Sequence, residues 1–213
     1  MTRSARRLWI AVAVVLAVGA AIGGYAWWRE EGSRLFYPRN FGVVEEAFLY
    51  RSGQIHPRII EDVLREHEID LVIDLARDDL RRASARAEIE AVEALGIRKV
   101  DLFGLDGYGV GRLDAYTLAL EELARARSAG ERVLVHCSAG SERTGATVAL
   151  YRMLFEGWGG EQAYTEYLGY RNRPPSHRRL PEYLNRNMER LVARLVERGV
   201  LAEPPAPLPV FGP

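Results

Sequence analysis

One cysteine, one lysine and no net charge set the first limits on this 213-residue chain. A single cysteine, Cys137, excludes an internal disulfide, so the fold must rest on its apolar core; the redox compartment stays open. Basic and acidic residues number 29 each, which removes any global attraction to nucleic acid. Lys99 is the sole lysine and arginine carries every other fixed positive charge, a bias read here as the base composition of a GC-rich bacterial genome. No internal repeat and no second folded domain are apparent, and the length suits one catalytic-sized domain plus a membrane segment.

Charge is also missing locally. Leu8–Trp28 runs 21 positions without a charged residue, long enough to cross a bilayer as a helix. Trp27 and Trp28 suit one interface, and Arg3, Arg6 and Arg7 flank the other. The competing reading is a cleaved signal peptide, whose apolar region is usually shorter. Arg29, Arg34 and Arg39 weaken the charge asymmetry, yet the arginine-led tail places the N-terminus in the cytoplasm. The rest of the chain then lies outside it, in the periplasm of a Gram-negative cell. The expected organisation is an anchor over 1–33, a folded domain over 34–203 and a proline-rich tail over 204–213, disordered or flat on the surface.

Between anchor and tail, strand-like and helix-like stretches alternate. Strands are expected at 47–51, 70–75, 97–102 and 133–135. Helices are expected from Pro57 to about 68, from a Ser84 cap through 95, over 114–128, and at roughly 144–156, 160–170 and 178–198. This order predicts an α/β fold with a mostly parallel central sheet flanked by helices.

The stretch that carries chemistry is Val133-Leu-Val-His-Cys-Ser-Ala-Gly-Ser-Glu-Arg-Thr-Gly145. A buried strand feeds a small-residue loop and then a helix. Loop N–H groups and the positive helix end gather around one point, which makes an anion cradle. A thiol ringed by N–H donors near an arginine shifts toward thiolate. Arg143 can hold two phosphate oxygens with its planar fork. Ser138, Ala139, Gly140, Ser141, Glu142 and Arg143 would line the pocket, with Cys137 at its floor. The alternative for a lone cysteine is a small buried hydrophobe.

His136-Cys137 followed by Arg143-Thr144-Gly145 resembles the signature of the cysteine-dependent protein tyrosine and dual-specificity phosphatases. Tyr50-Arg-Ser-Gly-Gln54 and Leu71-Val-Ile-Asp-Leu75 resemble the openings of the atypical dual-specificity members from bacteria, plants and fungi. The resemblance covers roughly residues 43 to 195. It implies a tyrosine-phosphatase-like fold and a metal- and cofactor-free phosphomonoesterase. The substrate would be a phosphorylated protein or, in some relatives, a phosphorylated inositol or lipid. His136 would bond the loop backbone, and Thr144 would bond the cysteine sulfur so that it can leave. A carboxylic acid must also protonate the leaving oxygen. The family's aspartate position falls within Asp101-Leu-Phe-Gly-Leu-Asp106-Gly107. Asp106, in a loop able to close over substrate, is the first candidate and Asp101 the second, against ordinary turn chemistry for both.

Glu142 departs from the small or basic residue that many of these phosphatases carry before the arginine. It resembles the acid in myotubularin-like and Sac-like lipid phosphatases. It can supply the proton, repel highly charged substrates, or sit solvated. The basic run Arg171, Arg173, His177, Arg178 and Arg179 can meet substrate phosphates. Two other classes compete: a rhodanese-like sulfurtransferase, whose active loop is usually shorter, and a non-catalytic, membrane-tethered phosphate-binding module.

Overall fold

The computed structural model describes residues 3–30, 32–76, 81–170 and 179–212. The chain divides into two compact units, Met1–Tyr37 and Pro38–Pro213. The proline-rich tail therefore belongs to the second unit, and the first extends four residues past the expected limit of 33.

The first unit is helix α1 (Arg3–Glu30) followed by a 3-10 turn, Gly32–Leu35. Trp28 packs against Phe36 at 5.8 Å between ring centroids. The large apolar side chains described along α1, from Trp9 through Val15 and Ile22 to Trp28, are all exposed. The continuous run of described side chains is Val12–Trp28. Among the described residues no helix is long and apolar enough to cross a membrane.

In the second unit, a five-stranded sheet has the order β1-β2-β5-β3-β4. Its strands are β1 (Gly42–Glu45), β2 (Leu49–Gly53), β3 (Leu71–Asp74), β4 (Arg98–Asp101) and β5 (Val133–Cys137). β2, β5, β3 and β4 run parallel, and β1 joins the edge as an antiparallel hairpin partner. That edge strand was not legible as a separate element, because Phe48 follows Glu45 in a turn too short to break the pattern. The expected strand at 47–51 lies two residues later, at Leu49–Gly53.

Helices cover both faces of the sheet. On one side α2 (Ile60–Glu66) and α3 (Ala83–Leu95) bury Val63, Leu64 and Val92 against Tyr50, Val72 and Leu134. On the other, α4 (Leu113–Ala129), α5 (Glu142–Phe155), α6 (Gly160–Gly169) and α7 (Arg179–Glu197) close over Leu49, Ile73, Val133 and Val135. Each such buried aliphatic side chain contributes about 1.5–3 kcal/mol. α2 begins three residues after Pro57, and Ser84 lies inside α3, where Arg82 holds the cap position. Gly96 and Gly130 end α3 and α4 in left-handed conformation, as expected.

Strand alternation sorts the key residues of β5. Val133, Val135 and Cys137 join the core under α4 and α5. Leu134 joins the opposite core, and His136 reaches Glu88 of α3 on that side.

Candidate active site

Cys137 ends β5 at the centre of the sheet, 1% exposed. The loop from Ser138 to Ser141 turns around it before α5 begins. Its outward carbonyls are each held from the neighbouring β1–β2 region. Asn40 Nδ2 donates to Ala139 O at 2.8 Å, Arg51 Nη2 to Gly140 O at 2.9 Å, and the Gln54 backbone N–H to Ser138 O at 3.3 Å. With the carbonyls drawn outward, the N–H groups turn inward, and Gly140 N–H donates to Cys137 Sγ at 3.3 Å. This is the concave array of donors that binds anions. Gly140 has φ 69, and a Cβ there would stand 2.4 Å from Gly53 N, so the loop packs against β2 without room for a side chain.

Burial pushes the Cys137 thiol up, but the Arg143 guanidinium, then Thr144 and the Ala139 N–H, outweigh it. The thiol is left below its ordinary value of 9.0. The Thr144 hydroxyl is fully buried and has no partner of good hydrogen-bond geometry, yet its polarity still favours the thiolate. Arg143, almost buried, donates from Nη1 to Leu75 O at 2.7 Å and from Nη2 to Ser138 Oγ at 3.1 Å. The guanidinium is thereby braced from β3 as well as from its own loop.

His136 departs from expectation. Its Nε2 pairs with Glu88 Oε1 at 3.2 Å instead of the loop backbone, and Nδ1 has no hydrogen-bond partner. Strand alternation is the reason, since it turns the ring to the α3 side. There it joins a buried charge cluster. Asp74 Oδ1 lies 3.7 Å from Nδ1, Lys99 Nζ lies 3.7 Å from Asp74 and 3.6 Å from Glu88, and Gln54 Nε2 donates to Glu88 at 2.6 Å. Burial opposes charge on His136, but Glu88 and then Asp74 overcome it, and its pKa is pushed up to about 10.

Asp74, Glu88 and His136 together have the composition of a metal site. The Lys99 ammonium, however, already supplies a fixed cation to both carboxylates.

Asp106 lies in the loop between β4 and α4. Its Oδ1 accepts from the backbone N–H groups of Tyr108 and Val110, at 2.8 and 2.9 Å, so one oxygen serves turn chemistry. The loop is also tied down from below. Tyr116 and Tyr183 hydroxyls donate to the carbonyls of Gly109 and Gly111, both at 2.7 Å. It is a fixed rim more than a free lid. Asp101 instead pairs with Lys99 at the end of β4.

Glu142 accepts from the Tyr167 hydroxyl of α6. Of the basic run, Arg179 lies over the Tyr108 ring with its guanidinium 5.5 Å from the centroid. Arg171, Arg173, His177 and Arg178 lie outside the described residues.

Sequence reasoning singled out the stretch Tyr50–Gln54 but not the bracing roles of Arg51 and Gln54, and it missed the brace Asn40 and the partners Glu88 and Tyr167. Lys99 was visible by its rarity alone.

A sequence profile described as the tyrosine phosphatase family matches residues 108–197, which contain the whole Cys137–Arg143 loop. The matched segment covers less than half of the chain and makes it similar to the tyrosine phosphatase family. The chain shares its fold with solved phosphatase structures. TpbA of P. aeruginosa is 24% identical over 68% of this chain and 83% of its own, with TM-score 0.54. The core catalytic domain of the PP-IP phosphatase SIW14 from S. cerevisiae is 20% identical over 76% of this chain and 94% of its own, with TM-score 0.59. PTPMT1 is 18% identical over 74% and 99%, with TM-score 0.58. No curated protein matches by sequence. The profile match favours a phosphatase over the sulfurtransferase alternative. Asp106 lies two residues before the matched segment.

Proposed function

We propose that this phosphatase hydrolyses phosphomonoesters through a phosphocysteine at Cys137, with phosphorylated side chains of proteins, phosphotyrosine first, as its substrates. One observation carries the reading. A thiol favoured as thiolate sits within a loop whose carbonyls are all held outward and whose flank carries a braced arginine.

The thiolate attacks phosphorus as the P–O bond to the leaving group breaks, and Asp106 gives that oxygen its proton through the carboxyl oxygen not engaged in the turn. Water then attacks the phosphocysteine while the Asp106 carboxylate takes its proton. Inorganic phosphate leaves and the thiolate is restored. The backbone N–H groups of the Ser138–Arg143 loop and the Arg143 guanidinium hold the phosphoryl oxygens, and the Thr144 hydroxyl steadies the departing sulfur. No step calls for a metal or cofactor from this residue set.

A second substrate class, phosphorylated inositols or lipids, has support in the similar fold of a PP-IP phosphatase and of PTPMT1, also solved in complex with PI(5)P. Against it stands Glu142, a fixed negative charge beside the cradle that disfavours polyphosphorylated ligands.

The reading extends to location. The uncharged stretch Leu8–Trp28, the flanking Arg3, Arg6 and Arg7, and the exposed apolar side chains of α1 support a single-pass anchor with the catalytic unit on the periplasmic side.

The test is turnover of an aryl phosphate by the full chain in detergent with chelator present, followed by competition between phosphotyrosine peptides and phosphoinositides. Turnover that disappears in Cys137→Ser and favours the peptide supports the proposal. Turnover that survives in Cys137→Ser contradicts the mechanism, and preference for phosphoinositides contradicts the substrate.

A further inference from the structure

Glu88 of α3 is 2% exposed, and its two carboxylate oxygens meet different partners. Oε2 accepts from Gln54 Nε2 at 2.6 Å, and Oε1 meets His136 Nε2 at 3.2 Å. Both partners lead to the catalytic loop. Gln54 gives its backbone N–H to Ser138 O, and His136 stands immediately before Cys137 in β5. One buried side chain thus reaches the loop by two routes.

The charges around His136 come from three elements. Glu88 lies on α3, and Asp74 of β3 has Oδ1 at 3.7 Å from His136 Nδ1. The same Asp74 oxygen accepts from the Ala76 N–H at 2.6 Å. Lys99 of β4 stands 3.6 Å from Glu88 and 3.7 Å from Asp74, and also pairs with Asp101. With His136 charged, it and Lys99 balance the two buried acids, Asp74 and Glu88. With His136 neutral, Lys99 alone faces both of them, and a buried carboxylate without a matching cation is costly. The cluster therefore fixes His136 as an imidazolium, one residue from the thiol. Cys137 already has Arg143 of α5 and Arg51 of β2 among its charged neighbours, with the Tyr116 phenol of α4 beside them. A further buried cation adds to the preference for thiolate, since charges act strongly where water is excluded.

We propose that Glu88 is a positioning residue for the nucleophile: one oxygen keeps His136 an imidazolium next to Cys137, and the other fixes Gln54, which holds the Ser138 carbonyl out of the cradle. The inference rests on the phosphatase reading for calling Cys137 the nucleophile. Glu88 touches no reacting atom and acts only through these two partners.

The experiment uses the full-length chain in detergent. It measures the rate of alkylation by iodoacetamide against pH, the pH profile of kcat/KM for an aryl phosphate, and inhibition by inorganic phosphate. Cys137 is the one cysteine, so alkylation reads it alone. The variants are Glu88→Gln, His136→Gln, the two combined, and Gln54→Leu. An amide at 88 can still accept from Gln54 and donate to a neutral His136, so Glu88→Gln removes the charge and keeps the contacts. The expected result is a thiol pKa and an acid limb of kcat/KM both raised by about one pH unit. Turnover well above that limb stays within a few-fold of the parent. His136→Gln gives the same rise, and combining the two adds nothing further. Gln54→Leu weakens phosphate inhibition several-fold. An unmoved thiol pKa in Glu88→Gln overturns the proposal, as does a loss of turnover equal at every pH, which marks a packing defect. Unchanged phosphate inhibition in Gln54→Leu overturns the second route. Should Glu88→Gln fail to fold, His136→Gln decides the first route, and an unmoved thiol pKa there overturns it. A parent chain that is alkylated through a lowered thiol pKa but turns over no aryl phosphate overturns the phosphatase reading, while the alkylation series still decides what Glu88 does to the thiol.

Discussion

Arg51 Nη2 donates to the carbonyl oxygen of Gly140 from a side chain with no exposed surface. The guanidinium also stacks on the Tyr170 ring, 3.7 Å from its centroid. Burial lowers its pKa to about 10, while Tyr170, Glu166 and Cys137 support the charge. A cation kept in the interior at that cost has a task, and here it is to hold the back of the catalytic loop. Arg51→Met leaves the buried Gly140 carbonyl unpaired. We expect a loss of about 1–3 kcal/mol in stability and a fall in turnover of roughly 10- to 100-fold from loop misplacement. Urea unfolding and steady-state kinetics on one preparation check both. Unchanged kinetics would mean that the loop holds its own shape.

Gly140 meets the same contact from the other side. Its left-handed backbone costs a residue with a Cβ about 1–2 kcal/mol, and that Cβ would also strike Gly53 N. Gly140→Ala should therefore raise the Cys137 pKa as well as destabilise the fold, because Gly140 N–H is one of the donors to sulfur. The rate of thiol alkylation against pH reads that shift directly.

The buried cluster sets the pH range of stability. His136 is raised from 6.5 to about 10, so its contribution is complete below pH 6.5 and is lost as pH rises through 10. For Glu88, burial opposes the charge but His136 and Lys99 hold the carboxyl below its ordinary 4.5. Its contribution is complete above pH 4.5 and is lost as pH falls through the lowered value. The melting temperature should be highest between pH 4.5 and 6.5 and decline on both sides. Glu88→Gln should flatten the alkaline decline by removing the partner that charges His136. Calorimetric scans across pH test both statements.

The proposed mechanism gives proton transfer to Asp106. Asp106→Asn should lower turnover by roughly 10²- to 10⁴-fold, with a smaller loss for substrates whose leaving group is already a stable anion. Glu142→Gln should alter preference among substrates of different charge. If Glu142→Gln instead abolishes the dependence on leaving-group basicity, the acid lies within the loop. The assignment to Asp106 then fails.

What could be read from the sequence was what the chain encodes within a few residues. Cys137 and Arg143 are fixed relative to each other by one loop and one helix turn, so the strand-loop-helix pattern was enough to bring them together. The sheet was legible for the same reason, since β3 and β5 are short apolar runs and Gly96 and Gly130 mark helix ends. Contacts across long sequence separations were not. Nothing near Glu88 announces that His136 faces it; only the two-residue alternation of β5, combined with the place of α3, makes that pair. Arg51 stands in a stretch the sequence singles out, but its task shows only once the parallel pairing of β2 with β5 buries it. The tail looked inert because its prolines obscured one aromatic, Phe211, which docks contrary to expectation, buried against Tyr164 and Tyr167 of α6 with its backbone bonded to Asn185 of α7. The distinctive single lysine was legible as an oddity. Its position between two buried carboxylates supplies the reason a compact ammonium stands where the rest of the chain uses arginine.

The central claim is that Cys137 becomes phosphorylated during turnover. Rapid acid quench of the full chain with an aryl phosphate, followed by mass analysis of the peptide containing residues 133–143, reads it directly. The account predicts one phosphoryl group on Cys137, more of it in Asp106→Asn with a substrate of good leaving group, and none in Cys137→Ser. Turnover with no phosphorylated Cys137 peptide at any quench time, continuing in Cys137→Ser, would contradict it.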